Sequence, residues 1–140
     1  GDYHLDNTLA SPHEPEILAI IDWELATVGD PYMDVALMLM FWGEYRTQQP
    51  PAFAALQSVS RRSGVISRRE LAGRWSESVG RPLHHMNFYM ALAFWRLAAI
   101  IEGAYGLFVA GQLTTDYARG LEYDVPALLA EAERAAKGDW

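Results

Sequence analysis

The 140-residue sequence contains no cysteine, so neither a disulfide framework nor a thiolate metal site is open to it. That absence fits a reducing compartment, and the cytoplasm is the expected location. Lysine is nearly missing too: Lys137 stands alone among the 11 basic residues, and the formal net charge is −7. A chain this acidic lacks the basic face that nucleic-acid phosphates require, which argues against a nucleic-acid partner. Its two dense basic pairs, Arg61 with Arg62 and Arg68 with Arg69, read as solvated helix ends. Long uncharged apolar runs are absent as well. The most apolar stretch, 86–110, is interrupted by Arg96 and Glu102. A membrane span needs about 20 largely uncharged residues, so this stretch reads as a buried helix and not a span. The first residues are polar and acidic, unlike the basic and then apolar opening of a signal peptide.

What is present is a core. Half of the residues are hydrophobic, and five Trp, seven Tyr and five Phe supply an apolar payload that disordered chains lack. Residues 1–7 show no apolar period and read as a loop, followed by a short strand at 8–10. Pro12 and Pro15 exclude helix from the turn at 11–15. The aliphatic run 16–21 then reads as a buried strand. Hairpin geometry would deliver Asn7 and Asp22 to the same edge.

Asp30 followed by Pro31 is a helix start, with an acid at the cap and proline where its missing N–H costs nothing. The helix expected over 31–42 is apolar all round apart from Asp34, which places it inside a bundle. Further helices are expected over 52–62, over 68–79 behind a Ser67 cap, over 82–111 with a kink or break near Gly106, and over 126–137 behind an Asp124 cap. The fold class is therefore mainly α, a short β-hairpin packed on a helical bundle.

Three polar residues in the opening stretch belong together: Asp2, Asn7 five positions later, and Asp22, which ends the aliphatic strand. Each alone is an ordinary turn former. In combination they follow the order of a kinase catalytic loop and metal-binding segment. A hydroxyl nucleophile needs a carboxylate to accept its proton. Mg²⁺ needs hard oxygens, which an amide carbonyl and a carboxylate provide. Apolar walls at Ile20, Ile21 and Trp23 would keep such a site dry. Asp30 and Asp34 read as scaffolding, the first as a helix cap and the second as a buried acceptor for loop N–H groups. Glu24 reads as a group standing behind the ligands and not as a ligand itself, Asp6 as a solvent-exposed residue, and adjacent His84 and His85 do not share a helix face as a metal pair would.

The motifs Gly1-Asp2-Tyr3-His4-x-x-Asn7, Ile20-Ile21-Asp22-Trp23-Glu24 and Gly29-Asp30-Pro31-x-x-Asp34-Val35-Ala36 resemble those of the aminoglycoside phosphotransferase and choline kinase family. The resemblance is dense over the first 36 residues. Residues 65–111 resemble the helical region of a subgroup related to the kinase-like part of acyl-CoA dehydrogenase fusion proteins. The family implies a protein-kinase-like fold, Mg²⁺, and ATP or another nucleoside triphosphate. It implies Asp2 as catalytic base and Asn7 and Asp22 as metal ligands bridging the nucleotide phosphates. His4 would either donate to the transferred phosphoryl group or brace the loop.

A phosphotransferase of this type also needs a glycine-rich loop over the phosphates and a strand lysine, and neither occurs here. Residues 1–140 are therefore expected to be the C-terminal lobe of a longer enzyme, with the nucleotide-binding lobe absent, little activity alone, and self-association through the face that lobe would cover. The substrate would be a small hydroxylated molecule, cationic if the acidic balance decides, hydrophobic if the aromatics do. Trp42, Tyr45, Trp75, Phe88, Tyr89 and Trp95 are candidate pocket walls or core fillers. The competing reading is a non-catalytic helical binding or interaction module.

Overall fold

A computed structural model describes residues 1–43, 45 and 57–140. In chain order, strands β1 (Thr8–Ala10) and β2 (Ile17–Ile20) precede helices α1 (Pro31–Met40), α2 (Arg68–Val79), α3 (Met86–Val109), α4 (Asp116–Gly120) and α5 (Asp124–Ala136). This is the expected hairpin on a helical bundle. Short 3₁₀ turns at Leu5–Asn7 and Trp23–Leu25 flank the hairpin.

The two strands pair antiparallel, Thr8 opposite Ile20 and Leu9 opposite Ala19, with an irregularity between Leu9 and Ala10. The Ser11 hydroxyl organises the turn by accepting from the N–H groups of His13 and Glu14. The expected burial of the second strand is not met: Ile17, Leu18 and Ile20 are 51%, 60% and 43% exposed. Aliphatic sequence made a strand, but among the described residues no helix of the bundle covers these side chains.

Asp30 caps α1, its carboxylate accepting from Tyr32 N at 3.0 Å and from the Tyr89 hydroxyl. The Tyr89 bond, then the Tyr32 bond, hold its carboxyl below the usual carboxylate range. This cap is therefore present above the ordinary Asp pKa and lost as pH falls through the depressed folded value. The helix ends at Met40, two residues before the expected Trp42, and Val35, Ala36, Leu37, Leu39 and Met40 are its buried residues. The first part of the helix expected over 52–62 lies outside the described residues; 57–61 run as a turn.

α2 follows the sequence to the residue. Ser67 and Glu70 close a capping box, and Gly80 ends the helix in the left-handed region at φ 64°. Ser67→Ala is expected to lower stability by about 1 kcal/mol, read as a drop in thermal midpoint of a few degrees. An unchanged midpoint would show the box to be redundant.

α3 begins at Met86, not Pro82, because His85 takes a left-handed conformation at φ 54° and interrupts any earlier helical turn. The break expected near Gly106 does not occur. Gly106 stays helical, its carbonyl accepting from Ala110 N at 3.0 Å, and the left-handed stop comes at Gly111. By length and composition α3 could cross a membrane, yet it packs on α5 and α1. The expectation of a buried helix holds for one face only: Met86, Met90, Ala93, Phe94, Ala98 and Ile101 are buried, whereas Phe88, Trp95 and Ile100 are exposed. α4, which the sequence reading missed, starts where the Thr115 hydroxyl accepts from Ala118 N. α5 starts at Asp124, so this acid is the first helical residue rather than the cap, and it is fully buried. Phe94, Leu39, Met40, Met90, Leu121 and Leu128 form the centre of the core, between α1, α3 and α5.

Arg68 also departs from expectation. It is 8% exposed, its Nε donates to the Trp42 carbonyl at 3.0 Å, and its guanidinium lies 5.8 Å from the centre of the Phe94 ring. Its place in the first turn of α2 directs it inward, against an aromatic face that suits its charge. Arg69 is solvated as expected.

Candidate active site

Gly1 is held from three sides. Its nitrogen donates to Asp34 Oδ1 at 2.7 Å, its carbonyl accepts from Arg96 Nη1 at 3.4 Å, and a Cβ there would stand 2.0 Å from the Leu25 carbonyl oxygen. Only glycine allows this approach, and it ties the opening loop to α1, α3 and the second 3₁₀ turn. Asp34 is a scaffold acceptor as expected, but its side chain is 49% exposed rather than buried. Arg96 went unassigned in the sequence, although a lone cation inside an apolar helix was the available signal.

Asp2 follows directly. Its main-chain oxygen and its Oδ2 both accept from Asn7 Nδ2, at 2.8 and 3.2 Å. Asn7 is 9% exposed, at the end of the 3₁₀ turn that its N–H closes on the His4 carbonyl. With Nδ2 engaged by Asp2, the amide leaves Oδ1 as its hard oxygen. His4 Nε2 lies 3.9 Å from Asp2 Oδ2, and the imidazole, 14% exposed, packs on the Phe41 ring at 4.8 Å.

The hairpin does bring Asn7 and Asp22 together. One step beyond the Thr8–Ile20 pair, Ile21 N donates to the Asn7 carbonyl at 2.9 Å, and Asp22 comes next. Asp22 is in the left-handed region at φ 61° and ψ 60°, uncommon for a residue with a side chain although Asp tolerates it. Strained backbone of this kind gathers at functional sites. Among the described residues no hydrogen bond or ion pair engages its carboxylate.

Asp2, Asp22 and Asp34 line one cleft of about 240 Å³, together with Ile20, Ile21 and Trp23. The apolar walls expected to keep it dry are open to solvent: Ile21 is 40% and Trp23 65% exposed. None of the six aromatic candidates for substrate walls lines this cleft. Tyr45 is a core residue, Trp75 and Tyr89 pack beside Tyr32, and Phe88 and Trp95 are exposed. No group of three His, Cys, Asp or Glu able to hold a metal occurs among the described residues, His84 and His85 included. Of the two expected donors, Asp22 lines the cleft and Asn7 does not, so the cleft offers the Asp22 carboxylate. That suits Mg²⁺, which is commonly held by one or two carboxylates while water and phosphate oxygens complete the octahedron.

The model of the phosphotransferase enzyme family matches residues 1–71, half of the chain, which hold Asp2, His4, Asn7, Asp22 and Asp34 but not Arg96. The chain belongs to the phosphotransferase enzyme family. It is also similar to acyl-CoA dehydrogenase family member 10 of Mus musculus, 34% identical over 120 residues, 82% of this chain and 11% of that protein. Against acyl-CoA dehydrogenase family member 11 of Homo sapiens it is 31% identical over 118 residues, 83% of this chain and 15% of that one. A solved structure from Ralstonia eutropha, provisionally assigned as an aminoglycoside phosphotransferase, superposes with a TM-score of 0.76 at 31% identity. That match covers 98% of this chain and 41% of the solved one. The family, the subgroup expected from residues 65–111 and the kinase-like fold therefore agree. Kinase-like phosphoryl transfer is the family's general chemistry, and the chain spans well under half the length of these relatives.

Proposed function

We propose that this phosphotransferase-family chain is the C-terminal lobe of an ATP-dependent enzyme that phosphorylates a hydroxyl of a small molecule, in the cytoplasm. The observation that supports the reading is the Ile21-to-Asn7 main-chain hydrogen bond at 2.9 Å, which brings the Asn7 backbone within one residue of Asp22 across the hairpin, while the Asn7 side chain holds Asp2. Asp2 would accept the proton of the attacking hydroxyl, its carboxylate oriented by Asn7 Nδ2. Asn7 Oδ1 and the Asp22 carboxylate would hold Mg²⁺. When bound, that ion neutralises charge on the phosphate oxygens. The burial of His4 against Phe41 favours the bracing role over direct contact with phosphate. A nucleotide-binding lobe, with the glycine-rich loop and lysine that residues 1–140 lack, would pack on the uncovered side of the hairpin. Leu18, Ile20, Trp23 and Leu25 are exposed there, and the chain on its own would self-associate through them.

The test uses Mn²⁺ as a paramagnetic stand-in for Mg²⁺. Millimolar Mn²⁺ should selectively broaden the amide resonances of Asn7, Ile21 and Asp22, and Asp22→Asn should weaken this at least tenfold with the remaining spectrum unchanged. Broadening that ignores the Asp22 substitution would remove the metal assignment, and none at all would favour the non-catalytic module.

A further inference from the structure

Arg96 stands in the middle of α3, whose other residues are all uncharged except Glu102. Taking a charge out of water is costly unless a partner takes up its hydrogen bonds. Arg96 is half-buried, and among the described residues its one hydrogen-bond partner is the Gly1 carbonyl, at 3.4 Å, with no ion pair. The side chain thus reaches across 95 sequence positions to a single main-chain oxygen.

The peptide to which that oxygen belongs decides the consequence. The Gly1 carbonyl and the Asp2 N–H are two ends of one planar group. The next peptide is tied as well, because the Asp2 carbonyl accepts from Asn7 Nδ2 at 2.8 Å. The two soft torsions of Asp2, φ and ψ, set how these flanking planes sit about its Cα. With one plane held by Arg96 and the other by Asn7, both torsions are fixed. Only the side-chain rotation is left, and Asn7 Nδ2 takes that up through Asp2 Oδ2 at 3.2 Å.

α3 is a firm anchor for this clamp. Phe94 and Ala98, two residues to either side of Arg96, are buried in the core. Tyr89 lies seven residues before Arg96, so the two share a face of the helix about 10 Å apart. The Tyr89 hydroxyl donates to the Asp30 carboxylate at the start of α1. Gly1, held by Arg96, donates to Asp34 one turn further along α1, at 2.7 Å. One face of α3 therefore carries a polar seam that follows α1 and finishes on the opening loop.

We propose that Arg96 is a positioning residue for phosphoryl transfer: it clamps the Gly1–Asp2 peptide to α3 and so aims the Asp2 carboxylate at the attacking hydroxyl. This rests on the reading of Asp2 as the base. Arg96 does not line the cleft, so it acts through Asp2 and not on the substrate.

The test compares two substitutions. Arg96→Met keeps an aliphatic stem and removes every donor. Arg96→Lys keeps a cationic donor, and a single N–H···O bond has no need of the guanidinium fork. In NMR spectra of this chain, the Gly1 carbonyl and Asp2 amide resonances should move in Arg96→Met and return toward wild type in Arg96→Lys, with the thermal midpoint unchanged. In a form that carries a nucleotide-binding lobe, Arg96→Met should lower kcat by about 10–100-fold, the scale of a small misplacement of a reacting group. KM for both substrates should stay the same, and Arg96→Lys should recover most of the loss.

Resonances that stay in place would overturn the clamp, whatever Asp2 does. So would a lowered midpoint with shifts spread over α1 and α3, the mark of a residue that only supports the fold. Moved resonances with kcat within twofold of wild type, where Asp2→Asn loses its activity, would leave Asp2 as the base and overturn the positioning role. Full activity in Asp2→Asn would instead remove the functional reading, and the positioning role with it. Should Arg96→Met not fold, Arg96→Gln takes its place, its shorter side chain expected to show the same losses.

Discussion

Asp2→Asn is expected to lower kcat by about 10²–10⁴-fold, the range that a positioned general base contributes, in a form of the protein that carries a nucleotide-binding lobe. The substitution retains an oxygen at the place of Asp2 Oδ2, so the bond from Asn7 Nδ2, 3.2 Å long in this structure, can persist. Loop geometry and Mn²⁺ affinity should then stay near the wild-type values. That split separates the base from the metal ligands, because Asp22→Asn should reduce both. A kcat within a few-fold of wild type would remove Asp2 from the role of base. If Mn²⁺ affinity fell with Asp2→Asn as well, the loop would be a single unit and the two roles could not be assigned separately.

Phe94→Ala should cost about 3–5 kcal/mol, a large share of the roughly 5–15 kcal/mol that holds a typical domain together. Phe94 is fully buried, meets Tyr45 edge-on with ring centres 5.5 Å apart, and faces the Arg68 guanidinium. Removing it opens a cavity where α3 meets the end of α1 and the start of α2, and also takes away the aromatic face that accommodates a buried cation. Urea denaturation followed by far-UV circular dichroism would report the change as a lower midpoint at nearly constant slope. A loss below 1 kcal/mol would mean that the neighbouring side chains collapse into the space.

The parts of the molecule that local chemistry decides were readable from the sequence. The caps at Asp30, with Pro31 behind it, and at Ser67 placed the starts of α1 and α2, because side-chain bonds to free N–H groups act over three residues and need no tertiary partner. The convergence of Asn7 on Asp22 was readable for a similar reason, since antiparallel pairing follows from two short strands and a proline turn. What was not readable depends on packing across long sequence separations. Aliphatic residues in β2 resemble buried ones whether or not another element covers them. Nothing near Asp124 announces that it turns into the core, and Arg68 looks like any basic residue at a helix end until Phe94 is set beside it. Gly106 illustrates the converse. Its conformational freedom permits a break, but α3 runs on through it to Val109.

The pairing of Thr8 with Ile20 also acts as a ruler. The main-chain spacing of Asn7 and Asp22 is set across the ladder, not along the chain, so the number of residues in the turn that begins at Ser11 does not enter it. A longer or shorter turn would therefore leave the spacing of the two residues unaltered. For the same reason, the segment from Ser11 to Glu16 is the place where a label or an affinity tag can be inserted while the site keeps its dimensions.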